Sequence, residues 1–285
     1  MFNYSYIKAT DTLLINDETV QFYNCPRAKE IILKNAKEIK AHTFSECSCI
    51  EKIVLPEGLK SIGIGAFNNT KIRELTLPKS LTEFEYQGIL PQLEKINVDE
   101  KNPYFKSVDG VLYNKKMTKL ICYPSCKKDK GYILPETVRS IANRAAVGCK
   151  YVAKINLSKA KELEEIGEYA FYKSDLLKKV IFPENLRVLK RDCFGECPKL
   201  SEVDIPKSLK IIDDHCFVNR ENKTVKITLN APKENYNIIE EYVENEAKHN
   251  PGIIFLREKE DYINDLIEGK ITFKELNQKA KSEER

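Results

Sequence analysis

Three histidines, nine cysteines and several adjacent carboxylates are the residues of this chain best suited to chemistry. His42 and His215 each lie two residues before a phenylalanine of a repeated pattern, so they occupy equivalent bends far apart in the chain. Carboxylate pairs such as Glu164-Glu165 are adjacent in sequence, which favours solvated side chains over an acid–base pair. No Ser-His-Asp order, zinc-protease motif, phosphate-binding glycine loop or dinucleotide fingerprint occurs. The sequence therefore predicts no catalytic residue, no cofactor site, no metal site and no enzymatic activity.

The cysteines have a simpler interpretation as small buried residues of a repeat. Five of them occupy two repeat positions, Cys47, Cys149 and Cys197 in one and Cys193 and Cys216 in the other. A buried free cysteine behaves as a small hydrophobic residue. Because Cys193 and Cys216 would lie about 4.8 Å apart on adjacent coils, a disulfide is a second interpretation; a zinc site that adds Cys197 and His215 is a third. Core packing is favoured over both, since an odd cysteine count and the lack of a secretory signal are typical of reduced thiols.

These residues belong to a repeat in which two apolar residues flank an intervening one and a proline often follows. Nine copies are present, with the apolar pairs Ile31/Leu33, Ile53/Leu55, Leu75/Leu77, Ile96/Val98, Tyr132/Leu134, Ile155/Leu157, Val180/Phe182, Val203/Ile205 and Ile227/Leu229. Successive copies lie 21 to 25 residues apart, except for one interval of 36 residues. The alternation predicts a short strand with one face inward, and the period is that of leucine-rich repeats. Because one copy is too small to bury its own apolar face, successive copies must stack.

A second register runs through the rest of each copy. An apolar residue is followed five residues later by another in Ile39/Phe44, Ile62/Phe67, Phe84/Ile89, Ile141/Ala146, Ile166/Phe171, Leu189/Phe194 and Ile212/Phe217. The later member predicts a spine of stacked rings along the solenoid. Ile89 and Ala146 interrupt this spine, so we expect either a neighbour to fill the layer at Ala146 or the spine to dip there.

Two sets of motifs resemble those of BspA-like bacterial leucine-rich repeat proteins. The first set is Ile62–Phe67 (IGIGAF) and Ile166–Phe171 (IGEYAF), and the second is Asn102–Phe105 (NPYF) with Val108–Asn114 (VDGVLYN). The resemblance implies a right-handed solenoid used for protein–protein contact, often on cell surfaces, with no catalytic residues to carry over. Together with the repeat count it predicts a leucine-rich repeat solenoid of about nine to ten coils, with a parallel β-sheet on one face, a small N-terminal β cap and a C-terminal helical cap.

We divide the chain into an N-terminal β cap over residues 1–28, a leucine-rich repeat solenoid over residues 29–230, and a terminal coil with a helical cap or tail over residues 231–285. The cap is predicted to be a meander of short strands. The long interval contains a β-hairpin insertion near residues 102–126. Asp109-Gly110 is a strong hairpin signal, and the segments 111–113 and 119–123 flank a further turn at Asn114–Thr118. We expect the insertion to project as a ribbon whose aromatic residues either pack against the coil, the favoured use, or form a contact patch. The C-terminal segment is predicted to hold a helix within residues 233–249, a strand over residues 253–256 and a charged helical pair over residues 260–285.

Charge and hydropathy indicate which classes of partner the protein does not bind, and the N-terminal sequence bears on its cellular location. The 47 basic and 43 acidic residues are interspersed and give a net charge of +4, whereas a nucleic-acid-binding surface needs clustered Lys and Arg. No run approaches 18 apolar residues, so we predict neither nucleic-acid binding nor membrane insertion. Because the N-terminus lacks a secretory signal, we expect a cytoplasmic protein if Met1 is the native start, and a secreted or cell-surface protein if a leader was removed.

The best candidate for a binding site is the row of residues between the two inward positions of each predicted strand. The row comprises Ile32, Val54, Thr76, Asn97, Ile133, Asn156, Ile181, Asp204 and Thr228. Its four Ile and Val residues favour an apolar stripe with polar breaks, which is typical of a protein contact surface. The alternative is that β-branched residues lie here because strands favour them. In the row before it, charges alternate until Lys154 and Lys179, which break the pattern and are predicted to receive an acidic partner.

The sequence therefore predicts a non-enzymatic module that binds a protein or peptide along its strand face. Two alternatives stay open. One is a cell-surface adhesion protein that binds a host or matrix protein or a glycan. The other is a scaffold subunit that recruits an enzyme through its C-terminal helices. Neither the identity of the partner nor the oligomeric state is predicted.

Overall fold

The computed structural model describes residues 4–21, 27–86, 90–220, 227–246 and 253–256. In these residues the chain winds into a β-solenoid of about nine turns. With the strands numbered in chain order, the first strand face consists of β2 (Thr12–Ile15), β4 (Glu30–Leu33), β6 (Lys52–Val54), β8 (Glu74–Leu77), β10 (Lys95–Val98), β14 (Gly131–Ile133), β16 (Lys154–Asn156), β18 (Lys179–Ile181), β20 (Glu202–Asp204), β22 (Ile227–Asn230) and β23 (Ile253–Leu256). The second strand face consists of β3 (Thr19–Val20), β5 (Glu38–Ile39), β7 (Ser61–Ile62), β9 (Glu83–Phe84), β13 (Lys119–Cys122), β15 (Ser140–Ile141), β17 (Glu165–Ile166), β19 (Val188–Leu189) and β21 (Ile211–Ile212).

Parallel pairing on the first strand face confirms the predicted stacking of the repeats. Ile31 lies opposite Ile53, and Ile155 lies opposite Val180, so that inward residues stack on inward residues. These side chains are buried, because each strand turns one side to the core. Hydrogen bonding divides this face into the sheets β1-β2-β4-β6, β8-β10, β14-β16-β18 and β20-β22-β23, where β1 is Tyr4–Ile7.

The second strand face was predicted only as an apolar register. Its two-residue strands pair in parallel as β3-β5-β7-β9 and as β13-β15-β17-β19-β21. Most of these strands turn one buried residue inward, as Ile39 and Ile62 do. Where both ladders run, as between β4–β5 and β6–β7, a turn of the solenoid is therefore held to its neighbour along two sides.

The predicted ring spine forms at the bends that follow the second strand face. Phe171, Phe194 and Phe217 stack with centroid distances of 5.2 and 5.8 Å, and Phe44 stacks on Phe67 at 6.1 Å. The bends accommodate the rings by placing residues in left-handed conformations, such as Asp192 with φ +53° and Glu196 with φ +54°; the Phe194 amide between them donates to the Cys216 carbonyl at 3.0 Å. Ile89 lies outside the described residues.

Aromatic side chains of neighbouring turns occupy the core next to Ala146. The Tyr123 amide donates to the Ala145 carbonyl at 2.7 Å, and the buried Tyr123 ring packs edge-on against Tyr132 at 4.8 Å. Tyr132 in turn shares a hydrogen bond of 2.8 Å with the hydroxyl of Tyr113. Tyr123, Tyr132 and Ala146 belong to one hydrophobic cluster, and whether a neighbour fills the layer at Ala146 stays a prediction.

The insertion is a three-stranded antiparallel ribbon that runs through the core instead of projecting. β11 (Phe105–Val108) and β12 (Val111–Asn114) join at Asp109-Gly110, whose φ values of +50° and +76° suit a tight hairpin turn. β12 pairs with β13, which continues in parallel with β15 and so brings the ribbon into the second strand face. Leu112 packs in the N-terminal hydrophobic cluster, whereas Val111 and Tyr113 pack in the C-terminal one. β12 therefore lies between two cores, and both of its sides are buried.

The two ends of the solenoid differ from each other. At the N-terminus only β1 and β2 pair antiparallel; β2 and β3 pair in parallel with β4 and β5, so the predicted meander is wrong beyond β1 and this stretch forms a solenoid turn. At the C-terminus a 3₁₀ turn (Lys233–Asn235) leads into helix α1 (Tyr236–Glu246), followed by β23. Ile239 and Tyr242 are buried on α1, and the Tyr242 hydroxyl accepts from the Phe217 amide at 3.0 Å. The predicted helical pair at 260–285 lies outside the described residues.

Candidate protein-binding face

The predicted binding row lies at the surface of the first strand face. Val54 is 38% exposed and Ile133 is 58% exposed. Thr76 and Asp204 are also exposed, and the row's partly buried members are Ile32, Asn97, Asn156 and Ile181. The ladders align neighbours in this row, as where Ile133, Asn156 and Ile181 stand side by side. Whether the row binds a partner stays a prediction.

The last position of the row needs a correction. Val203 pairs with Leu229 and Asp204 pairs with Asn230, so Asn230 and not Thr228 continues the row. The Asn230 amide donates to the carboxylates of Glu202 at 2.7 Å and Asp204 at 2.9 Å. A shift of two residues along a strand leaves the same side of the strand facing the core. Apolar spacing alone therefore does not distinguish the pairing of Val203 with Leu229 from its pairing with Ile227.

Charges on the N-terminal half of the face compensate each other, as the alternating signs suggested. Lys52 pairs with Glu30 at 2.6 Å, and Lys95 pairs with Glu74 at 2.9 Å. The pKa of the Glu74 carboxyl is lowered, chiefly because Lys95 donates a hydrogen bond to it. These pairs are solvent-exposed cross-strand contacts, so they hold the local register and contribute little to stability.

The C-terminal half breaks this compensation at Lys154 and Lys179. The two residues are direct partners in the β16–β18 ladder, and both side chains are exposed. Gly131 stands beside them on β14, and Glu202 on the next turn accepts the hydrogen bond from Asn230. Within the described residues, neither lysine forms an ion pair, although Glu202 is the next residue of the row after Lys179.

A groove of about 590 Å³ opens on the first strand face where β6 and β8 are adjacent but do not form a ladder. Three residues of the predicted row, Val54, Thr76 and Asn97, line it. Their neighbours in the lining include Arg73, Lys52 and the acidic residues Glu51, Glu57, Glu74 and Asp99. The groove thus offers a small apolar floor with charged walls to a side chain of a partner.

The cysteines and histidines do not assemble into a reactive site in the part of the chain described. Cys193 and Cys216 are buried free thiols, and burial raises the pKa of Cys216, so the thiol form is favoured. Cys216 donates to the Asp213 carbonyl at 3.0 Å. His215 is engaged by Glu246 of α1 at 2.8 Å from its Nδ1 atom. Among the described residues, no group of three or more metal-ligating side chains is arranged to hold an ion.

A buried charged cluster at the bends of the last turns was missed by the sequence analysis. The Arg220 guanidinium donates to Asp192 at 2.8 Å and lies 3.5 Å from Glu196, although both carboxyls are almost wholly buried. Burial raises the pKa of Asp192 and outweighs the opposing effect of Arg220. These residues are 24 to 28 positions apart, and no motif in the sequence links them. Their contacts join successive turns, which is a structural use.

Aligned strands, stacked rings and an open polar-and-apolar face together define a leucine-rich repeat solenoid. A family model described as "BspA type Leucine rich repeat region (6 copies)" matches residues 3–90 and 116–245, and the chain therefore belongs to the BspA-type leucine-rich repeat family. Proteins of this family are non-enzymatic repeat proteins that generally mediate protein–protein interaction or surface adhesion. No match was found among curated proteins.

Two solved structures are similar to this chain. The pneumococcal vaccine antigen PcpA is 30% identical over 72% of this chain and 51% of its own, with a TM-score of 0.66. A leucine-rich cell surface protein from Faecalibacterium prausnitzii A2-165 is 15% identical over 92% of this chain and 94% of its own, with a TM-score of 0.55. The chain thus spans about half the length of the pneumococcal antigen. In the described residues, no helix has the length and apolar character needed to cross a membrane.

Proposed function

We propose that this protein binds a protein or peptide along its first strand face. The observation that carries the proposal is the aligned row of outward side chains in which Val54 and Ile133 are exposed. Isolated exposed apolar residues are ordinary. Here the two residues occupy the same outward position of the repeat on the first strand face, and a groove opens beside Val54 on that face. Apolar residues aligned in this way with a polar surround favour contact with another protein.

The second strand face supports this choice by contrast. Its outward positions are Thr19, Glu38, Ser61, Glu83, Lys119, Ile121, Ser140, Glu165, Val188 and Ile211. The three apolar ones, Ile121, Val188 and Ile211, all lie from β13 onward, so the N-terminal part of that face resembles an ordinary solvated surface. The first strand face carries apolar residues in both halves of the molecule.

Adhesion at a cell surface is a second candidate function. It is favoured by the 30% identity to PcpA, a vaccine antigen, and by the likeness in fold to a cell surface protein. Both candidates use the same face and differ in where the partner resides. Labelling intact source cells with an antibody against the native chain separates them, because an adhesion protein is labelled without permeabilisation.

The binding face is tested with the double substitution Val54→Glu and Ile133→Glu in the full chain. Both side chains are exposed, so we expect the thermal melting temperature to stay within about 3 °C of wild type. Affinity capture from extract of the source cell, followed by mass spectrometry and titration with the purified partner, should show binding weakened at least tenfold. Charged groups in the middle of an interface lose affinity because they are desolvated without a counter-charge.

Ile211→Glu is the matched control, since Ile211 is 50% exposed on the second strand face. This variant should keep the partner with an affinity within twofold of wild type. Equal binding by wild type and by the double variant would refute a site on the first strand face, and so would selective loss of binding by Ile211→Glu.

A further inference from the structure

Two features of the sheet β14-β16-β18 are unfavourable for a strand face, namely the adjacent lysines Lys154 and Lys179 and the glycine Gly131. The outward positions of this sheet form two rows, Gly131, Lys154 and Lys179 in one and Ile133, Asn156 and Ile181 in the other. Lysines directly opposite each other in a ladder repel and destabilise the pair. Among the described residues neither lysine forms an ion pair, and the acidic residue next in their row, Glu202 on β20, accepts a hydrogen bond from Asn230, so the repulsion between the lysines is at most partly offset.

Gly131 is the second unfavourable feature. A glycine inside a strand weakens it and commonly marks a place where another backbone approaches closely. At Gly131 the backbone does not demand glycine, because its φ is not in the left-handed region and an added Cβ would only reach ordinary contact with the Lys154 carbonyl at 3.5 Å. Gly131 is the first residue of β14 and carries no side chain beside Lys154, so the backbone of a ligand can approach this end of the strand closely.

The geometry points to an extended segment of a partner protein, with acidic and apolar residues in alternation, as the occupant of this sheet; the inference rests on the proposed function. Successive side chains of an extended segment point to opposite sides. A segment that crosses the strands between the two rows directs every second residue to the lysine row and the others to Ile133 and Ile181. Residues i and i+2 of such a segment are about 6.6 Å apart, and adjacent strands are about 4.8 Å apart, so two carboxylates reach the two long lysine side chains.

Charge complementarity also indicates which part of the first strand face an acidic segment prefers. The lining of the groove between β6 and β8 carries Glu51, Glu57, Glu74 and Asp99 against Lys52 and Arg73. That part of the first strand face therefore disfavours an acidic segment. The site for such a segment is therefore placed in the C-terminal half, where Lys154 and Lys179 are adjacent and form no ion pair among the described residues.

The test uses the full chain and a fluorescein-labelled peptide in which Asp and Ile alternate over six residues between Gly-Ser ends. A second peptide has Asn in place of Asp, and a third has the same composition with the Asp and Ile residues in separate blocks. Fluorescence anisotropy should show binding of the alternating acidic peptide, weakened by added salt. The Asn peptide and the block peptide should bind at least threefold more weakly.

Lys154→Ser with Lys179→Ser should raise the Kd of the alternating peptide at least threefold, and Gly131→Val should weaken it as well. Lys60→Ser with Lys210→Ser is the matched control, because it removes the same charge from exposed lysines beside the second strand face; its Kd should stay within twofold. Circular dichroism confirms that each variant is folded. Equal binding of the Asn peptide, or equal weakening by both lysine pairs, overturns the inference.

Heparin and duplex DNA are included as competitors. If either binds more tightly than the peptide through the same two lysines, the sheet is a general anion site and the assignment to a protein segment is wrong. The proposed function is tested separately. A partner that is lost with Val54→Glu and Ile133→Glu but retained with both lysines removed leaves the proposed function standing and refutes this inference alone.

Discussion

Removing the Phe194 ring is the sharpest test of how the solenoid is held together. Phe194 is fully buried, stacked between Phe171 and Phe217 and in edge contact with Phe182 at 5.7 Å. A buried Phe→Ala change costs about 3–5 kcal/mol, and each ring pair adds about 0.5–1.5 kcal/mol beyond burial. Because three ring contacts are lost together, we expect Phe194→Ala to lower the free energy of unfolding by about 5 kcal/mol. Phe194→Leu keeps most of the volume and should cost about 1–2 kcal/mol.

Urea denaturation followed by circular dichroism measures the size of the effect, and hydrogen exchange measures its location. Phe194 lies in the C-terminal hydrophobic cluster, whereas Phe67 lies in the N-terminal one, beyond the ribbon strand β12. Turns of a repeat protein contact only their neighbours, so lost protection in Phe194→Ala should be greatest between β14 and β21, and in Phe67→Ala between β4 and β9. A cost below about 1 kcal/mol would refute the enclosed spine. Equal loss of protection in both halves would refute the separation of the cores.

Two charge substitutions have opposite expected effects on stability. Arg220→Ala should cost about 2–3 kcal/mol, because it leaves the buried carboxyls of Asp192 and Glu196 without their cation. Burial holds the pKa of the Asp192 carboxyl above its unfolded value, so the contribution of this group to stability is lost as pH rises. The loss of unfolding free energy caused by Arg220→Ala, measured in urea, should therefore be larger at pH 8 than at pH 5. A loss that grows on acidification would contradict this. Lys154→Glu should instead raise stability by about 0.2–1 kcal/mol, because a repelling pair with Lys179 becomes an attracting one and the other neighbour of Lys154 in its row is Gly131. Added salt should reduce this gain, and a less stable variant would contradict the assigned register.

The repeat predicted which residues stack on one another in successive turns, because the same pattern recurs in every turn. Any error in one copy is corrected by its neighbours, and Ile31, Ile53 and Ile155 all lie where the pattern put them. At Leu229 this support fails, since the next copy is interrupted by the helix and a shift of two residues preserves the inward face. The second strand face escaped prediction for a related reason, because a strand of two residues has no alternation to detect.

The ribbon shows what a periodic pattern cannot predict. Val111, Leu112 and Tyr113 are three successive apolar residues, a run typical of a strand that is covered on both sides. We interpreted it as a projecting hairpin because Asp109-Gly110 marks the turn so clearly, and the local turn is indeed there. What covers the ribbon comes from turns on either side of it, and such long-range packing is not encoded in the spacing of one segment.

Two places in this chain carry arrangements that reduce stability, and they differ in whether another residue of the chain offsets the cost. Asp192 is costly to bury, but Arg220 closes over it, and the pair joins successive turns of the same chain. Gly131 and the Lys154–Lys179 pair have no such compensation among the described residues, and both face outward on one three-stranded sheet. Natural sequences that break a local rule without an internal gain commonly do so at functional sites. A ligand that supplies carboxylates to the lysines and backbone to the surface beside Gly131 would make both departures favourable at once, which is why Lys154→Glu should increase stability and abolish binding of the acidic peptide in the same protein.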